Sequence, residues 1–117
     1  MTIHLYGIPS CDNIKKARKW LEGEGLDYSF HDYKKEGARR EDLERWADRS
    51  GWESLLNRRG TTFRKLGEAE RADLDRDKAI ALMLKHTSLI KRPVAEHKDG
   101  QRTLVGFTES EWENAFC

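Results

Sequence analysis

The sequence predicts a mixed α/β (α+β) fold in three parts: a βαβ unit, an all-helical insertion and a closing ββα unit. Three observations carry this. Ile3 to Tyr6 alternate like a strand, and Ile14, Ala17 and Leu21 follow at helical spacing. From Lys34 to about Arg92 the chain is dense in charge and helical in period. From Val94 onward it returns to strand character, with Asp99-Gly100 as a hairpin turn and an amphipathic helix to finish. The expected organisation is one domain over 1–117, with core segments 1–33 and 88–117 and the insertion at 34–87.

The first strand, Ile3 to Tyr6, leads into a tight loop over Gly7 to Ser10 and then Cys11. A helix is expected from Asp12 to about Gly23, ended by Gly23 and Gly25. Leu26 to Tyr33 read as the second strand, with Tyr28 and Phe30 alternating against Ser29 and His31. Two strands joined by a helix should be parallel, with a right-handed crossover.

The insertion should hold a helix over Arg40 to Ser50, with Leu43, Trp46 and Ala47 on one face. A short helical turn over Trp52 to Leu56 comes next, then a polar loop over Asn57 to Thr62, then Phe63 and Leu66 as anchors. Asp75 to His86 is its clearest helix. Leu89 to Pro93 lead into a strand at Val94 to His97, a turn at Lys98 to Gln101 and a returning strand at Arg102 to Val105. Thr108 and Glu111 form a capping-box pattern before Trp112, Ala115 and Phe116.

Composition narrows the functional classes. The 37% apolar and 37% charged fractions describe a well-solvated chain with a modest core, which four tryptophans help to fill. With 22 basic and 21 acidic residues the net charge is +1, which gives no case for nucleic acid or a membrane surface as partner. No apolar run reaches membrane-spanning length. The strand starts within two residues of Met1, so no signal peptide is expected, and the reading is a cytoplasmic monomer with reduced thiols.

Cys11 is the candidate nucleophile. It stands at a strand-to-helix junction, where unpaired backbone N–H groups and the positive end of the helix dipole favour thiolate over thiol. A structural cysteine more often lies inside an element than at its mouth. Cys117, the last residue, reads as an incidental terminal thiol. His4, His31, His86 and His97 show no metal-ligand spacing, so no metal is expected. Gly23-Glu24-Gly25 follows a helix rather than a strand and is no phosphate loop.

A βαβ…ββα order with a thiol at its first strand–helix junction resembles the thioredoxin fold. Ile8-Pro9-Ser10-Cys11, the run Leu89-Ile90-Lys91-Arg92-Pro93-Val94 and the helical insert between them resemble the family of glutaredoxin-linked arsenate reductase and Spx, most of all its YffB subgroup. The resemblance implies roles. Cys11 matches the nucleophile, Arg92 an arginine over the thiol, and Pro93 the cis-proline against the active-site loop, with Val94 beside it as backbone dock. Arg59 and Arg58 would hold an anionic end of the substrate. A planar guanidinium suits both a thiolate and an oxyanion.

The chain also departs from the pattern. Cys11-Asp12-Asn13-Ile14 is not Cys-x-x-Cys, so the internal disulfide switch of Spx is missing. Where the arsenate reductases carry polar groups around the loop this chain has Gly7 and Ile14, and Gly106 stands at the place of a further arginine. Their middle arginine aligns with Asn57, beside Arg58 and Arg59. An oxyanion site with those losses should bind arsenate poorly. The expected function is a glutathione-dependent thiol reductase with one catalytic cysteine, with glutathione as co-substrate and glutaredoxin as a further partner. The alternative is an Spx-like regulator that docks on RNA polymerase.

Overall fold

A computed structural model of the chain describes residues 3–97 and 102–116. It contains a four-stranded sheet in the order β2-β1-β3-β4, built from β1 (Ile3–Gly7), β2 (Tyr28–Asp32), β3 (Val94–His97) and β4 (Thr103–Val105). Two compact units are formed. One takes the sheet with residues up to Glu36 and from Arg92 onward; the other is residues 37–91.

In the sheet unit, β1 pairs parallel with β2 and antiparallel with β3, and β3 pairs antiparallel with β4. This is the β-strand arrangement of the thioredoxin fold, and the two parallel strands are β1 and β2, as the βαβ pattern predicts. Ile3 and Leu5 alternate with His4 and Tyr6, so one face of β1 is apolar and the other polar. The apolar face packs with Ala17 and Leu21 of α1 (Asp12–Gly23), Ala95 of β3, and Trp112 and Phe116 of α8 (Glu109–Phe116). Trp112 is fully buried, meets Trp20, Phe107 and Phe116 edge-on, and donates from Nε1 to the Gly106 carbonyl at 3.1 Å. Its large apolar area and one satisfied polar atom make it the anchor of α8.

The end of α1 follows the glycine signal. Gly25 takes φ +69°, the Gly25 N–H donates to Glu22 O at 3.2 Å, and the Leu26 N–H donates to Leu21 O at 3.0 Å. This pairing of two capping bonds around a left-handed residue needs glycine there. It also takes Leu26 out of the second strand, so β2 starts at Tyr28 rather than Leu26. At its other end β2 stops at Asp32, because Tyr33–Glu36 turn into a short helix, α2, whose Glu36 Oε2 accepts from the Asp32 N–H at 3.2 Å. Gly7, expected in the loop, is instead the last residue of β1 and pairs with Asp32.

In the helical unit, α3 (Arg40–Ser50) packs on α4 (Trp52–Leu55) and α7 (Arg76–Lys85). Leu43, Trp46, Leu55, Leu56, Ile80 and Met83 are buried, which places the predicted apolar face of each helix inward. Asp75 caps α7, its carboxylate accepting from the Lys78 N–H at 2.8 Å. Two further short helices, α5 (Thr61–Arg64) and α6 (Glu68–Arg71), follow the loop after Leu56. The loop therefore closes at Gly60, not Thr62. Leu66 is buried, whereas Phe63 is only half-buried.

A 3-10 turn, Thr87–Leu89, leads to Ile90, which forms an antiparallel bridge with Leu56. The expected turn at Lys98 to Gln101 lies outside the described residues, and β4 starts at Thr103. No helix among the described residues is long and apolar enough to cross a membrane.

Candidate functional site

Cys11 is the residue that caps α1, with φ −73° and ψ 131°. Its N–H donates to Ile8 O at 3.1 Å, closing a turn whose centre is Pro9-Ser10, and its carbonyl accepts from the Lys15 N–H at 3.0 Å. Pro9 at the second position suits this turn, since its ring presets φ. The thiol is free, half-buried, and makes no side-chain capping hydrogen bond. The sulfur therefore stands at the mouth of a helix, beside first-turn N–H groups that have no partner within the helix.

Arg92 and Pro93 approach the same end of β1. The Arg92–Pro93 peptide bond is cis, and Val94, fully buried, opens β3 opposite Tyr6. A Cβ built on Gly7 would lie 3.9 Å from Arg92 Cγ and 2.8 Å from Ile14 Cγ1. Gly7 is thus flanked by the stem of Arg92 and by Ile14 of α1, one turn beyond Cys11. Arg92 itself is half-buried. Cys11, Arg92, Pro93 and Val94 all belong to the sheet unit.

Arg58 and Arg59 belong to the helical unit. They line a cleft of about 440 Å³ with Glu53, Leu56 and Lys91. Arg58 lies over the Trp52 ring, with Cζ 5.5 Å from its centroid, and the Arg59 N–H donates to Asn57 Oδ1 at 3.2 Å.

A cluster of polar residues in the sheet unit was not foreseen. His4 Nδ1 lies 2.9 Å from His31 Nε2, His31 stacks on Tyr6, and His31 Nδ1 is 3.3 Å from Glu36 Oε1. The Tyr6 hydroxyl donates to Glu96, a buried carboxylate, at 3.4 Å. The only sequence signal was the alternation that puts His4 and Tyr6 on one face of β1. The pairing of Tyr6 with His31 and of His4 with Glu96 is set by register, which the sequence does not display. These contacts give His4 and His31 hydrogen-bond partners, in keeping with a structural role. Among the described residues no three His, Cys, Asp or Glu side chains are placed to hold a metal ion.

The ArsC family model matches residues 6–115. The chain belongs to the ArsC family. Among solved structures, this ArsC-family chain is 55% identical to a protein named YffB, with a TM-score of 0.94 and coverage of 98% of this chain and 99% of that one. It is 52% identical to an arsenate reductase (ArsC) related protein from Brucella melitensis, with a TM-score of 0.76 over 99% and 95% of the two chains. It is also 30% identical, over 111 residues, to the global transcriptional regulator Spx of Streptococcus pyogenes, covering 93% of this chain and 81% of that protein. The family match includes Cys11, Arg92 and Pro93, and it excludes neither the reductase reading nor the regulatory one.

Proposed function

We propose that this ArsC-family protein is a thiol reductase of one catalytic cysteine that draws its electrons from glutathione. The carrying observation is Cys11 itself: a free, half-exposed thiol capping α1, at the end of β1 that Arg92 and cis-Pro93 also approach. The Cys11 thiolate attacks one sulfur of an oxidised substrate, R–S–S–R′. The S–S bond breaks, Cys11–S–S–R forms, and R′–S⁻ leaves and takes up a proton. A glutathione thiolate then attacks the R sulfur, releasing Cys11 and forming a glutathione–R mixed disulfide. A second glutathione, or a glutaredoxin, clears that product. The sum is two glutathiones oxidised to one disulfide and one substrate disulfide reduced to two thiols.

Each residue gathered at this end of β1 has a part in this reading. The Arg92 guanidinium stabilises the thiolate and grips a carboxylate or an oxyanion. The backbone of Pro93 and Val94 docks the extended substrate. The protein acts as a monomer in the cytoplasm. Arsenate is a poor substrate in this reading. Ile14 is fully buried against Gly7 where polar groups would serve an oxyanion, and Gly106 sits at φ +81°, a conformation that disfavours arginine at that position.

The test is reduction of hydroxyethyl disulfide with glutathione as sole reductant. Turnover by the wild type and none by Cys11→Ser supports the proposal. Absence of both turnover and a Cys11–glutathione adduct in the wild type overturns it.

A second reading rests on the Spx similarity: a protein-binding regulator without efficient catalysis. The sequence Cys11-Asp12-Asn13-Ile14 lacks the second thiol of a disulfide switch, which argues against redox control of that kind. Capture of purified RNA polymerase by the wild-type protein, unchanged in Cys11→Ser, would favour this reading.

A further inference from the structure

Two tryptophans share the aromatic cluster of the sheet unit, and they differ in one respect. Trp20 of α1 and Trp112 of α8 meet edge-on, with ring centroids 5.9 Å apart. The Trp20 Nε1 is buried and has no hydrogen-bond partner among the described residues. The Trp112 Nε1–H donates to the Gly106 carbonyl at 3.1 Å. Filling the cluster does not by itself call for that bond, since Trp20 packs there without one.

Gly106 is held on both sides. Its N–H donates to the Pro93 carbonyl at 2.8 Å, one rung beyond the Val94–Val105 pair that ends the β3–β4 ladder. Its φ of +81° turns the chain out of β4 toward α8. Pro93 is buried and has no N–H, so its carbonyl is its one backbone hydrogen-bonding group. The place of Pro93 is thus tied, through Gly106, to a fully buried indole. Next to Pro93 stands Arg92, whose Cγ lies 3.9 Å from a Cβ built on Gly7, at the end of β1 that leads to Cys11.

We propose that Trp112 is a positioning residue for the Cys11 site. Through its indole N–H it holds Gly106, and through Gly106 it holds the Arg92–Pro93 segment where an extended disulfide substrate docks. The inference rests on the thiol-reductase reading above, and it concerns docking rather than the thiol. Without the indole N–H the Gly106 carbonyl loses this donor, the Gly106 peptide is free to turn, and the Pro93 carbonyl loses its fixed partner. A misplacement of about 1 Å is enough to slow a docked reaction strongly. The Cys11 turn is closed by other bonds, from its own N–H to Ile8 O and from the Lys15 N–H to its carbonyl. A small reagent that needs no docking should therefore meet the same thiol.

The experiment compares Trp112→Phe with Trp20→Phe in the full chain. Each variant loses an indole from the same cluster, but only the first also loses the bond to Gly106. Cys11 is reacted with iodoacetamide and, separately, with the symmetrical disulfide of an acetylated, amidated Gly-Ala-Cys-Ala-Gly peptide. Peptide mass spectrometry separates Cys11 from Cys117, and NMR follows exchange of the Gly106 amide. In Trp112→Phe the ratio of the peptide-disulfide rate to the iodoacetamide rate should fall about fivefold or more, with the iodoacetamide rate within about twofold of wild type. Exchange at Gly106 should speed up about tenfold or more in the same variant. Trp20→Phe should leave both readouts within about twofold of wild type. Should Trp112→Phe not fold, replacing the Trp112 indole by benzothiophene, which keeps the shape and lacks the N–H, serves in its place. An unchanged ratio in the Trp112 variant, an equal fall in Trp20→Phe, or a fall without faster Gly106 exchange would overturn the proposal. Failure of the reductase reading looks different: wild-type Cys11 would alkylate yet not exchange with the peptide disulfide, and the positioning role would fall with it.

Discussion

Gly7 and Ile14 are packed so closely that residue 7 has no room for a side chain. A Cβ there would stand 2.8 Å from Ile14 Cγ1, and Ile14 Cδ1 is closer still. Gly7 ends β1, Ile14 is in the first turn of α1, and the loop that holds Cys11 runs between them. This contact fixes how near the start of α1 comes to the end of β1, an interior strand of the sheet.

Gly7→Ala should therefore destabilise the protein by about 1–3 kcal/mol, the usual cost of overpacking a well-filled site. Ile14→Ala alone should cost about 2–5 kcal/mol, because Ile14 is fully buried. The double variant should be more stable than the sum of the two losses predicts, since the added methyl then enters the space that Ile14 vacates. Urea unfolding of all four proteins measures this. Strict additivity would show that the contact does not constrain position 7.

Arg92 is expected to act through its charge, and the charge of an alkylating reagent can report it. Iodoacetate and iodoacetamide differ by one negative charge at similar size. In Arg92→Ala the rate ratio of the two at Cys11 should fall about fivefold, the order expected from losing one partly screened charge. Arg92→Lys should retain much of the ratio and lose the two-bonded grip on a carboxylate. Peptide mass spectrometry separates Cys11 from Cys117 in the same sample. An unchanged ratio in Arg92→Ala would remove Arg92 from the site.

How much of this was legible in the sequence depends on the distance over which each feature is built. The strand–Cys11–helix junction came through because Ile3, Leu5, Ile14, Ala17 and Leu21 carry two periodicities side by side, and because Gly25 marks the helix end. The Asp12–Gly23 and Arg40–Ser50 helices match their expected limits for the same reason. The short helices at Tyr33–Glu36 and Glu68–Arg71 did not, since four residues hold barely one helical turn and give no periodicity to read. The His4–His31 contact and the Leu56–Ile90 bridge join residues 27 and 34 positions apart through register, a property of pairing rather than composition. The family motifs gave Cys11, Arg92 and Pro93 together. Nothing local in the sequence says that Arg58, Arg59 and Lys91 line one cleft.

Asp75 offers a local test of the helical unit. Its carboxylate accepts from the Lys78 N–H at 2.8 Å and so satisfies one of the open donors at the start of α7. Asp75→Ala should cost about 1 kcal/mol, and Asp75→Ser only a fraction of that, since a serine oxygen can serve the same donor. The midpoint of urea unfolding should move to match, with its slope unchanged. Equal losses for the two variants would show that the cap does not contribute through this bond.

Cys11→Ser separates chemistry from folding. Cys11 occupies a capping position, yet its sulfur makes no capping hydrogen bond. Serine is among the residues preferred there, because its oxygen accepts from an N–H of the first turn. The variant should therefore be as stable as the wild type or more stable, by up to about 1 kcal/mol. It should form no glutathione adduct at residue 11 after exposure to oxidised glutathione, whereas the wild type should form one that excess reduced glutathione removes. Thermal unfolding and intact mass, run on the same two samples, measure both halves. Loss of the adduct with stability kept assigns the reaction to the Cys11 sulfur. If the serine variant is markedly less stable, the thiol is a packing group, and loss of the adduct then says nothing about catalysis. If the wild type forms no adduct while its thiol still alkylates, Cys11 is reactive but glutathione is not its co-substrate, and the regulatory reading gains.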